Sequence, residues 1–166
     1  MEKEQFTEYM MEAEETMFHL AFSILHKEQD CSDVVQEAVL KAYAKRNTLK
    51  NPSYFRTWII RILINECYTF LRRQNKQLPM EQVLIDGYLP NSQTEFGACV
   101  KEEYLDLYRA INSLKEQDKL CVLLFYIEDY SVREVSQILQ IPEGTVKSRL
   151  HKSRMQLKDL LKEEQE

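Results

Sequence analysis

The sequence predicts an all-α protein of two small helical domains joined by a linker. Three observations carry this. Apolar residues recur at helical spacing on both sides of the middle of the chain. Between those stretches, Gln77 to Ala98 loses the period and gathers Pro79, Gly87, Pro90, Asn91, Ser92 and Gly97, the composition of a loop. Further on, Ser131 to Leu157 reads as two helices on a tight turn. A chain of 166 residues can form one medium domain or two small ones. The break favours two, at residues 1–76 and 99–166, with 77–98 between them.

Phe6 to Leu25 makes the first amphipathic helix, with Phe6, Tyr9, Met10, Ala13, Met17, Leu20, Ala21 and Ile24 in helical register. His19 and His26 could share a face, but no third ligand accompanies them. Asp30 to Lys45 makes the second helix, with Val35, Ala38, Val39 and Ala42 as its core stripe. Asp33, Gln36 and Glu37 stand at i, i+3 and i+4 and therefore share a face. Two acids on one helix can be a catalytic pair, although acids near a helix start more often favour the macrodipole. Arg46 to Ser53 reads as a loop from its Asn and Pro content. The third helix opens at Tyr54 and runs to Arg73. It carries the only tryptophan, Trp58, beside Tyr54 and Phe55 and close to Arg56 and Arg61. Rings among cations suit single-stranded DNA, whose unstacked bases stack on aromatics while basic residues follow the phosphates. Trp58, Ile59, Ile62 and Leu63 also have core spacing, so Trp58 is assigned mostly to packing.

The helical period resumes at Val100 to Leu114, with Val100, Tyr104, Leu107, Tyr108 and Ile111 on one side. Lys115 to Asp118 starts another helix, whose Leu120, Val122, Leu123, Leu124, Phe125 and Ile127 are densely apolar. The helix after it has Ser131 as N-cap with Glu134 at capping-box spacing, and Val132, Val135, Ile138 and Leu139 as its stripe. The turn is Gln140-Ile141-Pro142, where proline at the first turn of the next helix loses no needed donor. The last helix buries Val146, Leu150 and Leu157. Its Lys147, Arg149, Lys152, Arg154 and Lys158 point elsewhere without an acid among them. A short helix, a sharp turn and a basic second helix is the form of a helix-turn-helix that lays its second helix in the major groove.

The formal net charge is -5, with acids concentrated near both ends of the chain. That argues against a uniformly basic DNA coat but leaves localised basic stripes free to act. Cys31, Cys67, Cys99 and Cys121 are widely separated, so no zinc site or disulfide framework is expected. No metal and no cofactor are expected. No apolar run is long enough to span a bilayer, and no signal-peptide pattern opens the chain. A soluble, cytoplasmic protein is the expectation.

The string Ile141-Pro142-Glu143-Gly144-Thr145-Val146-Lys147-Ser148-Arg149-Leu150 closely resembles the IPxGTVKSRLxRAR motif of region 4 in bacterial sigma factors, in the small extracytoplasmic-function (ECF) group of the sigma-70 superfamily. Asp33-Val34-Val35-Gln36-Glu37 is similar to the DxxQE of region 2.2, and the stretch from Phe55 to Asn65 to the FRxWLxRIxxN of regions 2.3 and 2.4. The resemblance covers nearly the whole chain in the expected order. It implies a non-enzymatic initiation factor: a region 2 helical bundle, a linker and a region 4 helix-turn-helix. Asp33, Gln36 and Glu37 would grip a coiled coil on the largest subunit of core RNA polymerase, and domain 4 would seat on the flap of the second-largest.

For the promoter, the resemblance implies that Asn65 and the loop Asn47 to Tyr54 select bases of a melted -10 element. Tyr54, Phe55, Arg56 and Arg61 would assist, with Arg72, Arg73 and Lys76 on phosphate. Lys147, Ser148, His151 and Lys152 would meet base edges of the -35 element, and Arg149 and Arg154 would serve phosphate or packing. On that basis Lys152→Ala is expected to lose discrimination at one -35 position, by ~1–3 kcal/mol. The resemblance also implies an anti-sigma factor, often membrane-anchored in this family. Two departures stand out. Gln140 occupies a turn position where relatives often have Gly, a strained choice if the backbone there is left-handed. His151 and Lys152 replace an aromatic and an Arg common in some relatives.

Two rivals are weighed beside this reading. A conventional helix-turn-helix regulator with a sensing domain explains the second half equally well, but not the Asp33-Gln36-Glu37 face followed by an aromatic-basic helix. A metal-dependent hydrolase using Asp33, Glu37 and the histidines lacks a second ligand motif.

Overall fold

The computed structural model describes residues 1–75 and 104–163. The chain divides into two units, Met1–Leu78 and Pro79–Glu166. The expected linker 77–98, Lys76, Cys99 and Val100 lie outside the described residues. Among the described residues all regular structure is helical.

In the first unit, α1 (Lys3–Leu25), α2 (Glu28–Lys45) and α3 (Phe55–Gln74) pack on one another in all three pairings. The core face of α1 is Phe6, Ala13, Met17, Leu20, Ala21 and Ile24, at the expected three- and four-residue spacing. His26 ends the helix in the left-handed region (φ 62°), and its N–H donates to the Phe22 carbonyl at 2.9 Å. In α2 the buried stripe is Cys31, Val34, Ala38 and Ala42. The phase is therefore one residue from the Val35–Val39 expectation: Val35 and Val39 are only half-buried. Small side chains at Ala38 and Ala42 let α2 lie close to its neighbours. On α3, Phe55, Ile59, Ile60, Leu63, Ile64 and Cys67 face inward. Each fully buried side chain of this size contributes about 1.5–3 kcal/mol.

One end of this core is aromatic. Phe6 meets Tyr43 edge-on at 5.4 Å between centroids and Phe55 at 5.7 Å, while Phe55 touches Tyr9 at 5.3 Å and Trp58 at 5.8 Å. Edge-to-face geometry sets the positive rim of one ring on the negative face of the next. The α2–α3 connection holds two single 3₁₀ turns, Arg46–Thr48 and Pro52–Tyr54. Asn51 caps the second turn: its Oδ1 accepts from the Ser53 amide at 3.0 Å and the Ser53 hydroxyl at 2.8 Å.

The second unit holds α4 (Leu105–Asn112), α5 (Glu116–Val122), α6 (Val132–Leu139) and α7 (Glu143–Glu163). Leu120 to Leu124 are buried in succession, so α5 is enclosed on all sides, as its dense apolar run requires. From Leu123 to Ile127 the helix widens into a π turn, and Tyr126 and Ile127 emerge into solvent. Asp129 then takes a left-handed conformation (φ 58°) and the chain turns inward to bury Tyr130.

Local sequence governs α6. Ser131 Oγ accepts from the Glu134 amide at 3.2 Å, while Glu134 Oε2 accepts from the Ser131 amide at 2.8 Å, so the capping box closes. Val135 and Ile138 are buried, with Val132 and Leu139 half-buried. The helix stops at Gln140, which is left-handed (φ 56°, ψ 44°). Pro142 lies one residue ahead of α7, and its carbonyl accepts from Thr145 at 3.0 Å and Val146 at 3.1 Å to start the helix. α7 packs on α4, α5 and α6, burying Val146, Leu150 and Ser153. Leu157, expected in that stripe, is half-buried.

Candidate nucleic-acid interface

On α2, Asp33, Gln36 and Glu37 are all exposed, with Gln29 Nε2 donating to Asp33 Oδ1 at 3.3 Å. Leu40 extends the same face at i+7 and is 65% exposed. It lies outside the apolar stripe read from the sequence, and its exposure is what marks it as a surface residue. An apolar side chain beside a polar, partly acidic rim is the anatomy of a protein-docking surface.

On α3, Arg61, Asn65 and Arg72 recur at i, i+4 and i+11, so they share one exposed stripe. Thr69 lies on it too, its hydroxyl donating to the Asn65 carbonyl at 2.8 Å while Arg72 Nη2 donates to Thr69 Oγ1 at 3.0 Å. Glu66, next to Asn65, forms an ion pair with Lys41 of α2. That pairing offsets the Glu66 carboxylate beside the stripe, which favours phosphate there. Arg56 sits roughly 140° round the helix from Arg61, in the first turn beside the exposed Tyr54. Arg73 is exposed on a neighbouring flank.

Phe55 is a correction. It is 3% exposed and enclosed by Phe6, Tyr9 and Trp58, so its ring is core and presents no face to a base. Trp58 is half-buried against it, in keeping with a packing role. Arg46 also looks basic and available, yet its guanidinium stacks 4.1 Å from the Tyr43 ring centroid and donates to the Tyr43 carbonyl.

On α7, Lys147, Ser148 and His151 are exposed away from the buried seam. Ser148 Oγ donates to the Gly144 carbonyl at 2.9 Å, leaving its lone pairs to accept from a ligand. Met155 joins this face at 51% exposed, one turn beyond His151. Arg154 is exposed on a flank. The other two expected DNA residues are engaged within the unit. Arg149 is half-buried and its Nη2 donates to Gln117 Oε1 at 2.7 Å, a contact that supports its packing role. Lys152 Nζ donates to Asp118 Oδ2 at 3.4 Å, so its ammonium is paired with a carboxylate of the fold while its side chain stays 53% exposed.

Burial pushes the Cys31 thiol up to about 12, with the Asp30 carboxylate adding to it. Burial also raises Cys121, and the nearby Arg149 guanidinium partly offsets that. Neither is a nucleophile near neutral pH. Among the described residues no group of three or more His, Cys, Asp or Glu side chains could hold a metal ion, and no helix is long and apolar enough to cross a membrane.

Residues 11–77 match the sigma-70 region 2 family, and residues 104–157 match sigma-70, region 4. The ECF RNA polymerase sigma-E factor of Escherichia coli (strain K12) is 32% identical over 137 residues, covering 75% of this chain and 70% of that protein. The chain belongs to the ECF sigma factors. It is also 29% identical to the RNA polymerase sigma factor SigV of Bacillus subtilis (strain 168) over 161 residues, 92% of each chain. The sigma factor RpoE of Bartonella quintana, solved in complex with the anti-sigma factor NepR, matches at a TM-score of 0.76 with 25% identity, over 95% of this chain and 96% of that one. CnrH, solved with the cytosolic domain of CnrY, shares the fold at a TM-score of 0.66 and 20% identity, over 95% of this chain and 87% of that one. As an ECF sigma factor the protein is a non-enzymatic factor that directs transcription initiation, and the conventional-regulator reading gives way.

Proposed function

We propose that this ECF sigma factor seats on core RNA polymerase through Asp33, Gln36, Glu37 and Leu40 of α2, and through the second unit on the flap of the second-largest subunit. The polar, partly acidic α2 face suits a basic coiled coil on the largest subunit, where charge pairing sets orientation and on-rate more than affinity. Asn65, Arg61 and Arg72, with Tyr54 and the loop from Asn47, take the non-template strand of the -10 element. Arg56 and Arg73 follow phosphate. Lys147, Ser148 and His151 read -35 base edges, and Arg154 contacts backbone.

A single observation carries this reading. Two exposed faces of opposite character, acidic-apolar on α2 and basic-polar on α3, stand on neighbouring helices of one small unit. A DNA-binding module alone has no use for the first. The factor works in the cytoplasm beside polymerase. An anti-sigma factor, membrane-anchored, covers these faces until a signal releases it; a partner of the anti-sigma class is supported by RpoE, which was solved in complex with the anti-sigma factor NepR.

The test is run-off transcription with purified core polymerase on randomised promoters. The protein should copurify with core and enrich one pair of -35 and -10 words. A complex that starts transcripts no better than core alone sinks the proposal.

A further inference from the structure

Arg149 and Lys152 stand three residues apart on the flank of α7 that turns toward α5, and each is held by the first turn of that helix. Gln117 takes Arg149 at 2.7 Å and Asp118 takes Lys152 at 3.4 Å. Asp118 is 5% exposed, so its carboxylate has little water to solvate it and Lys152 is its counter-charge. Gln117 and Asp118 lie 32 and 34 residues before their partners, so no local rule of sequence demands the match.

The seam of Val146, Leu150 and Ser153 seats α7 on the unit but does not fix its roll, because apolar contact is non-directional. Two directional contacts ~4.5 Å apart along the axis do fix it. A roll of ~15° moves a side-chain end at ~6 Å radius by ~1.5 Å, enough to break a hydrogen bond to a base. We propose that Gln117 and Asp118 are positioning residues for promoter reading. They set the roll of α7 and keep Lys152 off the phosphates, so that Lys147, Ser148 and His151 meet base edges in register. This rests on the -35 role proposed above.

The test uses holoenzyme assembled from the full chain and core polymerase, on promoters with single-base changes in the -35 element, titrated with salt. Asp118→Asn keeps the shape and removes the charge, releasing the Lys152 ammonium to a phosphate. The slope of log K against log salt should steepen by ~0.9, and discrimination against mismatched -35 elements should fall about fivefold or more. Asp118→Asn combined with Lys152→Gln pairs two neutral groups and should return the slope to its parent value. Gln117→Ala should lower discrimination with the slope unchanged. Parent slope and parent discrimination in Asp118→Asn would overturn the proposal, as would affinity lost equally on every promoter at unchanged slope, the mark of mere destabilisation. Melting curves show whether each variant folds. Should Asp118→Asn alone unfold, parent discrimination in Gln117→Ala overturns the proposal instead. Failure of the underlying -35 role is separate: the parent holoenzyme itself would show no -35 preference.

Discussion

Ser131 and Glu134 bond each other reciprocally at the start of the helix-turn-helix, each side chain accepting from the other's amide, at 3.2 and 2.8 Å. Two of the free amides at the start of α6 are satisfied in this way. Ser131→Ala should therefore cost about 1 kcal/mol, read as a lower urea midpoint for the second unit.

Gln140 ends the same helix with φ 56°, a conformation that costs an L-residue about 1–2 kcal/mol. Its amide still donates to the Ser136 carbonyl, so the cap survives loss of the side chain. Gln140→Gly should raise stability by about 1 kcal/mol, shifting the denaturant midpoint without changing the slope of the transition.

Ser153 faces the α7 seam fully buried, and its hydroxyl has no hydrogen-bond partner among the described residues. A buried donor left unmade costs about 1–3 kcal/mol, and alanine is also the better helix former. Ser153→Ala should stabilise the unit by at least about 1 kcal/mol; a midpoint that falls would count against this.

Cys31 gives a signed dependence on pH. Its thiol is held up at about 12 in the folded chain, so the unfolded chain releases that proton first as pH rises. The stabilisation is fully present below the ordinary thiol range and declines as pH climbs toward about 12. Urea midpoints at rising alkaline pH should fall, and fall less in Cys31→Ala. A thiol reagent at neutral pH should leave Cys31 unlabelled until the chain unfolds.

Lys147 and Arg154 separate reading from holding. Lys147→Ala should lose ~1–3 kcal/mol of discrimination at one -35 position. Arg154→Ala should weaken all promoters alike and flatten the salt slope by about 1. Holoenzyme binding to single-base promoter variants distinguishes them, and exchanged phenotypes would reverse the assignments.

What was legible in the sequence was local. The capping box needs only Ser131 and Glu134 at their spacing, whereas the left-handed backbone at Gln140 was only a condition in the sequence and is supplied by the structure. The seam residues Val146 and Leu150 follow from period alone. Tertiary packing decided the rest. Val34 rather than Val35 faces the core because α2 rolls to set Cys31, Ala38 and Ala42 against two other helices. Phe55 is core because Phe6 and Tyr9, far off in sequence, enclose it. The pairing of Lys152 with Asp118 was not legible because Asp118 stands 34 residues upstream. The π turn at Leu123–Ile127 has no signature in an unbroken apolar run.

Among the described residues of the first unit the buried ones run from Phe6 to Cys67, so that core is built from residues made well before α7. At ribosomal rates of about 5–20 residues per second, the rest of the chain takes roughly 5–20 s to follow. Helical bundles rich in neighbouring contacts fold in microseconds to milliseconds. The nascent protein thus carries its finished α2 surface out of the ribosome seconds before α7 has been translated.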